Sequence, residues 1–174
     1  MKHLLTIAAL VVAMSTGAYA ADTNYVGADL GQSKLNGVSV GSAGLHVGHN
    51  VNPNVAIELG VMQSQDSNNA GVNANVLTTS ADLVGILPVA PKVDVLGTVG
   101  VELQTLSATT TTVHHHHVTI ANSDDSALGA TIGAGAQYHL TDALSVRGLV
   151  KYEDVSLLDQ GHDVKATVGL NVAF

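Results

Sequence analysis

Apolar and polar residues alternate with a period of two over most of this chain. In Val55-Ala56-Ile57-Glu58-Leu59-Gly60-Val61-Met62 one face reads Val, Ile, Leu, Val and the other Ala, Glu, Gly, Met. That is the spacing of a β-strand, whose successive side chains point to opposite sides. Val93, Val95, Gly97, Val99, Val101 and Leu103 share a face against Asp94, Leu96, Thr98, Gly100 and Glu102. Val164, Ala166, Val168, Leu170, Val172 and Phe174 alternate in the same way with Asp163, Lys165, Thr167, Gly169, Asn171 and Ala173. Eight such strands are predicted, over 24–35, 39–50, 54–64, 76–88, 92–104, 127–140, 143–154 and 163–174.

The connections alternate too. Those at Val51-Asn52-Pro53, Val89-Ala90-Pro91 and Thr141-Asp142 are tight and use turn chemistry. Those near 36–38, 65–75, 105–126 and 155–162 are mostly longer and rich in Ser, Thr, Asn, Asp and Gly. An even number of antiparallel strands of about ten residues, with short turns on one side and longer loops on the other, is the pattern of an outer-membrane barrel. The expected fold is therefore all-β, an eight-stranded antiparallel up-and-down transmembrane β-barrel, closed so that no backbone edge is left in lipid.

The second face agrees with this, because an eight-stranded barrel is filled by side chains. It holds Asp29, Glu58, Asp82, Glu102, Arg147, Lys151 and Lys165 among Gly27, Gly31, Gly44, Gly48, Gly60, Gly100, Gly133, Gly135 and Gly169. Charges of opposite sign are expected to pair there as a structural plug, since an unpaired buried charge is expensive. A soluble β-sandwich would put its oily residues inside and its charges outside.

Composition narrows the classes further. With no Cys in 174 residues there is neither a disulfide scaffold nor a thiolate metal site, and a formal charge of -8 argues against a nucleic-acid partner. The N-terminus reads as an export signal: Met1-Lys2-His3, an apolar run over 4–14, then Ser15-Thr16-Gly17-Ala18-Tyr19-Ala20 with Ala18 and Ala20 at the small-residue positions of a cleavage site. The apolar run is too short to span about 30 Å of hydrocarbon as a helix. Residues 1–20 are thus expected to be a signal peptide cleaved after Ala20, and 21–174 a single barrel domain. Losing Lys2 makes the mature chain more acidic, with a formal charge of -9 (-8 less the +1 of Lys2).

The opening strand Tyr25-Val26-Gly27-Ala28-Asp29-Leu30-Gly31, the hairpin from Gly44 through Asn52-Pro53-Asn54 to Gly60, and the hairpin Gln137-Tyr138-His139-Leu140-Thr141-Asp142-Ala143-Leu144-Ser145-Val146-Arg147 resemble the small outer-membrane β-barrels of the OmpA and OmpX type. The resemblance covers nearly all of the mature chain. It implies a Gram-negative, integral, porin-like protein of the cell envelope, in contact with outer-membrane lipid and lipopolysaccharide. It also implies that Phe174 is the aromatic terminal signal read by the outer-membrane assembly machinery. Members serve as envelope structure, adhesins, surface-binding proteins or narrow pores, so the likeness specifies architecture better than activity. One departure is the thin aromatic girdle: the mature chain offers only Tyr25, Tyr138, Tyr152 and Phe174. Three of these are placed at the tight-turn rim, and His46, His49 and His139 are expected beside them.

The tract Thr109-Thr110-Thr111-Thr112-Val113-His114-His115-His116-His117 lies in the longest predicted loop. In an extended chain His114 and His116 point one way and His115 and His117 the other, so either pair can chelate a divalent ion, with Asp124 and Asp125 near. Nothing in the sequence fixes a coordination geometry around them. No cofactor is expected, and any metal binding at the four His should be weak. The loop groups Ser64 with Asp66, and Ser156 with Asp159 and His162, lack the organised base, orienting partner and oxyanion donor that a nucleophile needs. The expected function is non-enzymatic: a structural or surface-interaction, adhesin-like barrel acting through its loops on a host or surface ligand. The alternatives are a narrow channel for small solutes and a metal-binding surface protein using the His tract.

Overall fold

The computed structural model describes residues 24–35, 38–67, 72–114, 117–154 and 162–174; the predicted signal peptide lies outside them. The described elements are eight strands: β1 Asn24–Leu35, β2 Val38–Asn52, β3 Val55–Ser67, β4 Val72–Ala90, β5 Val93–His114, β6 His117–His139, β7 Leu144–Asp154 and β8 His162–Ala173. Each pairs antiparallel with the next, and β8 returns to β1 from Tyr25↔Ala173 to Lys34↔Val164, closing the barrel. Closure gives every transmembrane strand a partner on both sides, which is what a backbone in hydrocarbon requires.

The alternation falls as the pattern requires. Leu59, Val99, Val101, Leu103, Ile132, Val168 and Leu170 face outward and are exposed, while Asp29, Glu58, Asp82, Glu102, Arg147 and Lys165 are buried in the lumen. The oily residues therefore cover the outside, the reverse of a sandwich. At the tight-turn end, β-bulges fall between Asn50 and Asn52 and between Pro88 and Ala90; Pro88 lies beyond Ile86, whose N–H donates to Asn54 O, and past the last β3–β4 pair Val55↔Gly85, where its missing N–H costs no ladder hydrogen bond to β3. Asn52 Oδ1 accepts from the Asn54 N–H at 2.9 Å, and Thr141 Oγ1 from the Leu144 N–H at 3.0 Å. The chain's last residue is tied to the same end, where the Phe174 N–H donates to Asn24 O at 2.9 Å.

The expected loop over 105–126 is corrected. β5 continues to His114 and β6 starts at His117, in unbroken register from Thr105↔Ser126 to His114↔His117. Thr109 to Val113 and Val118 to Ile120 are all β-branched, and such residues favour the extended backbone whether or not one face is oily. Polarity there marks departure from the membrane, and the strand itself goes on. The connection predicted over 65–75 is corrected as well, since β3 runs on to Ser67 and β4 starts at Val72, in register from Gln65↔Asn75 to Ser67↔Asn73.

Inner glycines make room for inner rings. A Cβ on Gly48 would fall within the Tyr25 ring, and one on Gly27 within the imidazole of His46. Gly48→Val is therefore expected to destabilise the barrel by about 1–3 kcal/mol, the usual cost of overpacking. Unfolding by urea in detergent measures it, and an unchanged midpoint would contradict this packing.

Candidate functional site

Two polar assemblies fill the lumen. In the first, Arg147 of β7 crosses to β3 and β1: its Nη1 donates to Glu58 Oε1 at 2.6 Å and its Nη2 to Asp29 Oδ2 at 3.4 Å. His46 of β2 lies against the same carboxylate, Nδ1 2.7 Å from Asp29 Oδ2, with Nε2 2.9 Å from Asn171 Oδ1. Tyr25 Oη donates to Glu58 Oε1 at 2.5 Å. In the second, Lys151 Nζ donates to Asp82 Oδ2 at 2.7 Å, and Lys165 Nζ lies 3.3 Å from Glu102 Oε2 and 2.5 Å from Glu153 Oε1. Gln104 Nε2 completes it by donating to Glu153 Oε2 at 2.9 Å. All seven charges picked out on the inner face thus meet in these two assemblies.

Two residues lie elsewhere than their closeness to the tight turns predicts, and a further charge joins the lumen. His46 was expected at the rim, yet it is 4% exposed inside the lumen. Tyr25, assigned to the girdle, points inward with its ring edge-on to His46 at 6.1 Å between centroids. The signal was available in both cases: Tyr25 shares the parity of Gly27 and Asp29, and His46 that of Gly44 and Gly48. The girdle is accordingly thinner still. Glu153, 1% exposed, was passed over although it shares the parity of Arg147 and Lys151. His139 and His49 do lie at the tight-turn rim, His139 Nε2 being 2.7 Å from Asp94 Oδ2 and His49 Nδ1 2.9 Å from Asn24 Oδ1.

The remaining candidates lie partly outside the described residues. His114 and His117 end β5 and begin β6 as register partners, while His115 and His116 lie outside the described residues. This replaces the single extended chain assumed for chelation by a cross-strand arrangement. Among the described residues no group of three or more His, Cys, Asp or Glu side chains is placed to hold a metal ion. Ser64 is buried on the inner face of β3; Ser156 and Asp159 lie outside the described residues. Among the described residues the lumen holds a cavity of about 50 Å³ between the assemblies and another of about 260 Å³ toward the tight turns. Glu58 and Arg147 line both, so their ion pair is the partition between them.

An apolar outer belt, a closed ladder and an ion-paired lumen define a membrane-embedded β-barrel. The chain belongs to the outer membrane protein beta-barrel domain family, which matches residues 6–174. Among solved structures it is similar to Neisserial surface protein A, with 14% identity and a TM-score of 0.66 over 90% of this chain and 100% of that one. It is also similar to the N-terminal barrel domain of Pseudomonas aeruginosa OprF, with 17% identity and a TM-score of 0.62 over 88% and 99%. Ail, the attachment invasion locus protein of Yersinia pestis, matches with 12% identity and a TM-score of 0.60 over 88% and 97%. At these identities the likeness is one of fold. No curated protein sequence matches the chain.

Proposed function

We propose that the barrel is a non-enzymatic anchor in the bacterial outer membrane that holds out a recognition hairpin, in an adhesin-like role. The observation that carries this reading is the ladder from Leu106↔Asp125 to His114↔His117, which runs on beyond Leu103 and Leu128, the outermost large apolar residues exposed on these two strands among the described side chains. At about 3.4 Å per residue it extends roughly 30 Å along the strands. A structural plug needs no such extension; a surface that meets a partner above the lipid does. Ail, the attachment invasion locus protein of Yersinia pestis, has also been solved in complex with the heparin analogue sucrose octasulfate. Residues 106–125 here contain Asp124 and Asp125 and no Lys or Arg, so a polyanion is a poor fit and a neutral or basic partner a good one.

The test replaces 106–125 with an Asn-Gly turn, which suits a two-residue hairpin. Heat-modified gel migration of the refolded barrel should be retained, and attachment of expressing cells to host cells or matrix should be lost. Attachment at the full level would remove the reading. A narrow channel is the weaker alternative because Arg147 and Glu58 stand across the lumen; single-channel conductance well above background in planar bilayers would favour it. Phe174, outward-facing at the closing strand, is proposed as the residue read by the assembly machinery. Its deletion should lower outer-membrane levels in cells while detergent refolding proceeds, and unchanged levels would count against that role.

A further inference from the structure

The larger cavity is built unlike the rest of the lumen. One wall is apolar: Val84 of β4 and Leu96 of β5 form a buried cluster with Ala56 of β3, and Ile86 and Tyr25 pack against it. The wall across from it, on β6 to β8, is polar, with Gln137, Ser145 and Asn171. The lining runs out to Pro53, Asp142 and Ala143, which are exposed at the tight turns, the side that faces the periplasm in an outer-membrane barrel. Ordered water is held by polar partners, which the Val84 and Leu96 wall does not offer. Oily walls with a few converging polar groups are the make-up of a small-molecule site.

Charge decides what kind of molecule fits. Three carboxylates line the cavity, Glu58, Asp94 and Asp142, against the one guanidinium of Arg147. That guanidinium is already committed, Nη1 to Glu58 and Nη2 to Asp29, while Nε is enclosed. An anionic ligand is therefore poorly served. Glu58 is 4% exposed, yet both of its hydrogen bonds, from Tyr25 Oη and Arg147 Nη1, fall on Oε1. Its Oε2 has no hydrogen bond among the described residues and is not enclosed, so it faces cavity space. Asp94 gives Oδ2 to His139 and stands on β5 one inward position nearer the tight turns than Leu96. A carboxylate thus stands at the floor and another toward the mouth, with the apolar wall between them. A buried carboxylate oxygen left without a partner is costly, and an ammonium supplies the charge-assisted hydrogen bond it lacks.

We propose that this cavity binds a short aliphatic diamine from the periplasm, with one ammonium at Glu58, the other at Asp94, and the methylene chain along Val84 and Leu96. Size agrees with this class. A cavity of about 150 Å³ takes up benzene, so one of about 260 Å³ has room for roughly ten non-hydrogen atoms. A diol of the same length would leave both carboxylates without a cation, and a simple metal cation would leave the apolar wall uncovered. The site lies at the end of the barrel away from the outer hairpin and is independent of the recognition role proposed for it.

The experiment uses the mature chain refolded in nanodiscs of zwitterionic lipid, whose surface does not gather amines. The probe is pentane-1,5-diamine and the control pentane-1,5-diol, each titrated against the amide resonances of the barrel. The diamine should give saturable shifts at Leu96, Gln137 and Ser145, and the diol none. Asp94→Asn, outside the two ion-paired assemblies, should weaken diamine binding at least tenfold with heat-modified migration retained. His139→Ala, which releases Asp94 Oδ2, should bind at least as tightly as the parent. Were the Asp94 and His139 contact only structural, both variants would move together. No saturation at millimolar diamine, equal binding of the diol, equal weakening in the two variants, or displacement by sodium at the diamine's own concentration would overturn the proposal. Replacing 106–125 should leave the titration unchanged even where it abolishes attachment; loss of diamine binding in that variant would also overturn it.

Discussion

Arg147→Leu is expected to cost about 3–5 kcal/mol of stability, the range for breaking a buried ion pair by removing one partner. The physical reason lies in what stays behind. Arg147 is the only Lys or Arg side chain in ion-pair contact with Glu58 and Asp29 among the described residues, and both carboxylates remain in the lumen when it goes. His46 and Tyr25 hydrogen-bond to them, which lessens the loss without replacing the charge. The triple variant Arg147→Leu, Asp29→Asn, Glu58→Gln should recover most of the stability, because the cost belongs to uncompensated charge and the pair contributes little net attraction of its own. Urea unfolding in detergent, followed by far-ultraviolet circular dichroism, measures both. A single variant within about 1 kcal/mol of the parent, or a triple variant no better than the single, would contradict the assigned network. Because this ion pair also separates the two cavities, the same variants belong in planar bilayers, where a new conductance would identify the pair as the lumen's closure.

The second large effect concerns the outer face. Leu59, Val99 and Leu170 are 38%, 56% and 53% exposed, an exposure that in water would be a liability and in lipid is the anchor. Arg at any of the three should cost about 2–4 kcal/mol, and Arg at Thr105, just beyond Leu103 at the top of the belt, about 0–1 kcal/mol. This depth profile tests facing and membrane position together. Equal costs at Thr105 and Val99 would mean that the belt is not where the outward residues put it. Lumen positions make poor controls, since Thr98 is enclosed and an Arg there would fail for lack of room.

The architecture was legible in the chain because a barrel imposes one rule on every strand. Val164 to Phe174 repeats it throughout and Val93 to Leu103 with Leu96 as the one large apolar residue on the inner face, and the tight turns at Pro53, Pro91 and Asp142 mark where it restarts. The same rule put Asp29, Glu58, Asp82, Glu102, Arg147, Lys151 and Lys165 inside. It failed where it was not applied: Tyr25 and His46 were judged by closeness to a turn, when parity with Gly27 and Gly44 placed both in the lumen. It also failed where its signal ends. Past Leu103 no lipid demands an oily face, so the continued ladder to His114 left only β-branched residues as a trace, and these were read as loop polarity.

Period-two alternation determined the strand count, the closure and the face on which each charge sits, because each is a local consequence of which solvent a side chain meets. Which charges would find each other only the tertiary structure decided. Arg147 meets Glu58 from 89 residues away and Lys165 meets Glu102 from 63, distances in sequence over which no local pattern carries information. The stagger of eight strands around the barrel brings those positions to one height.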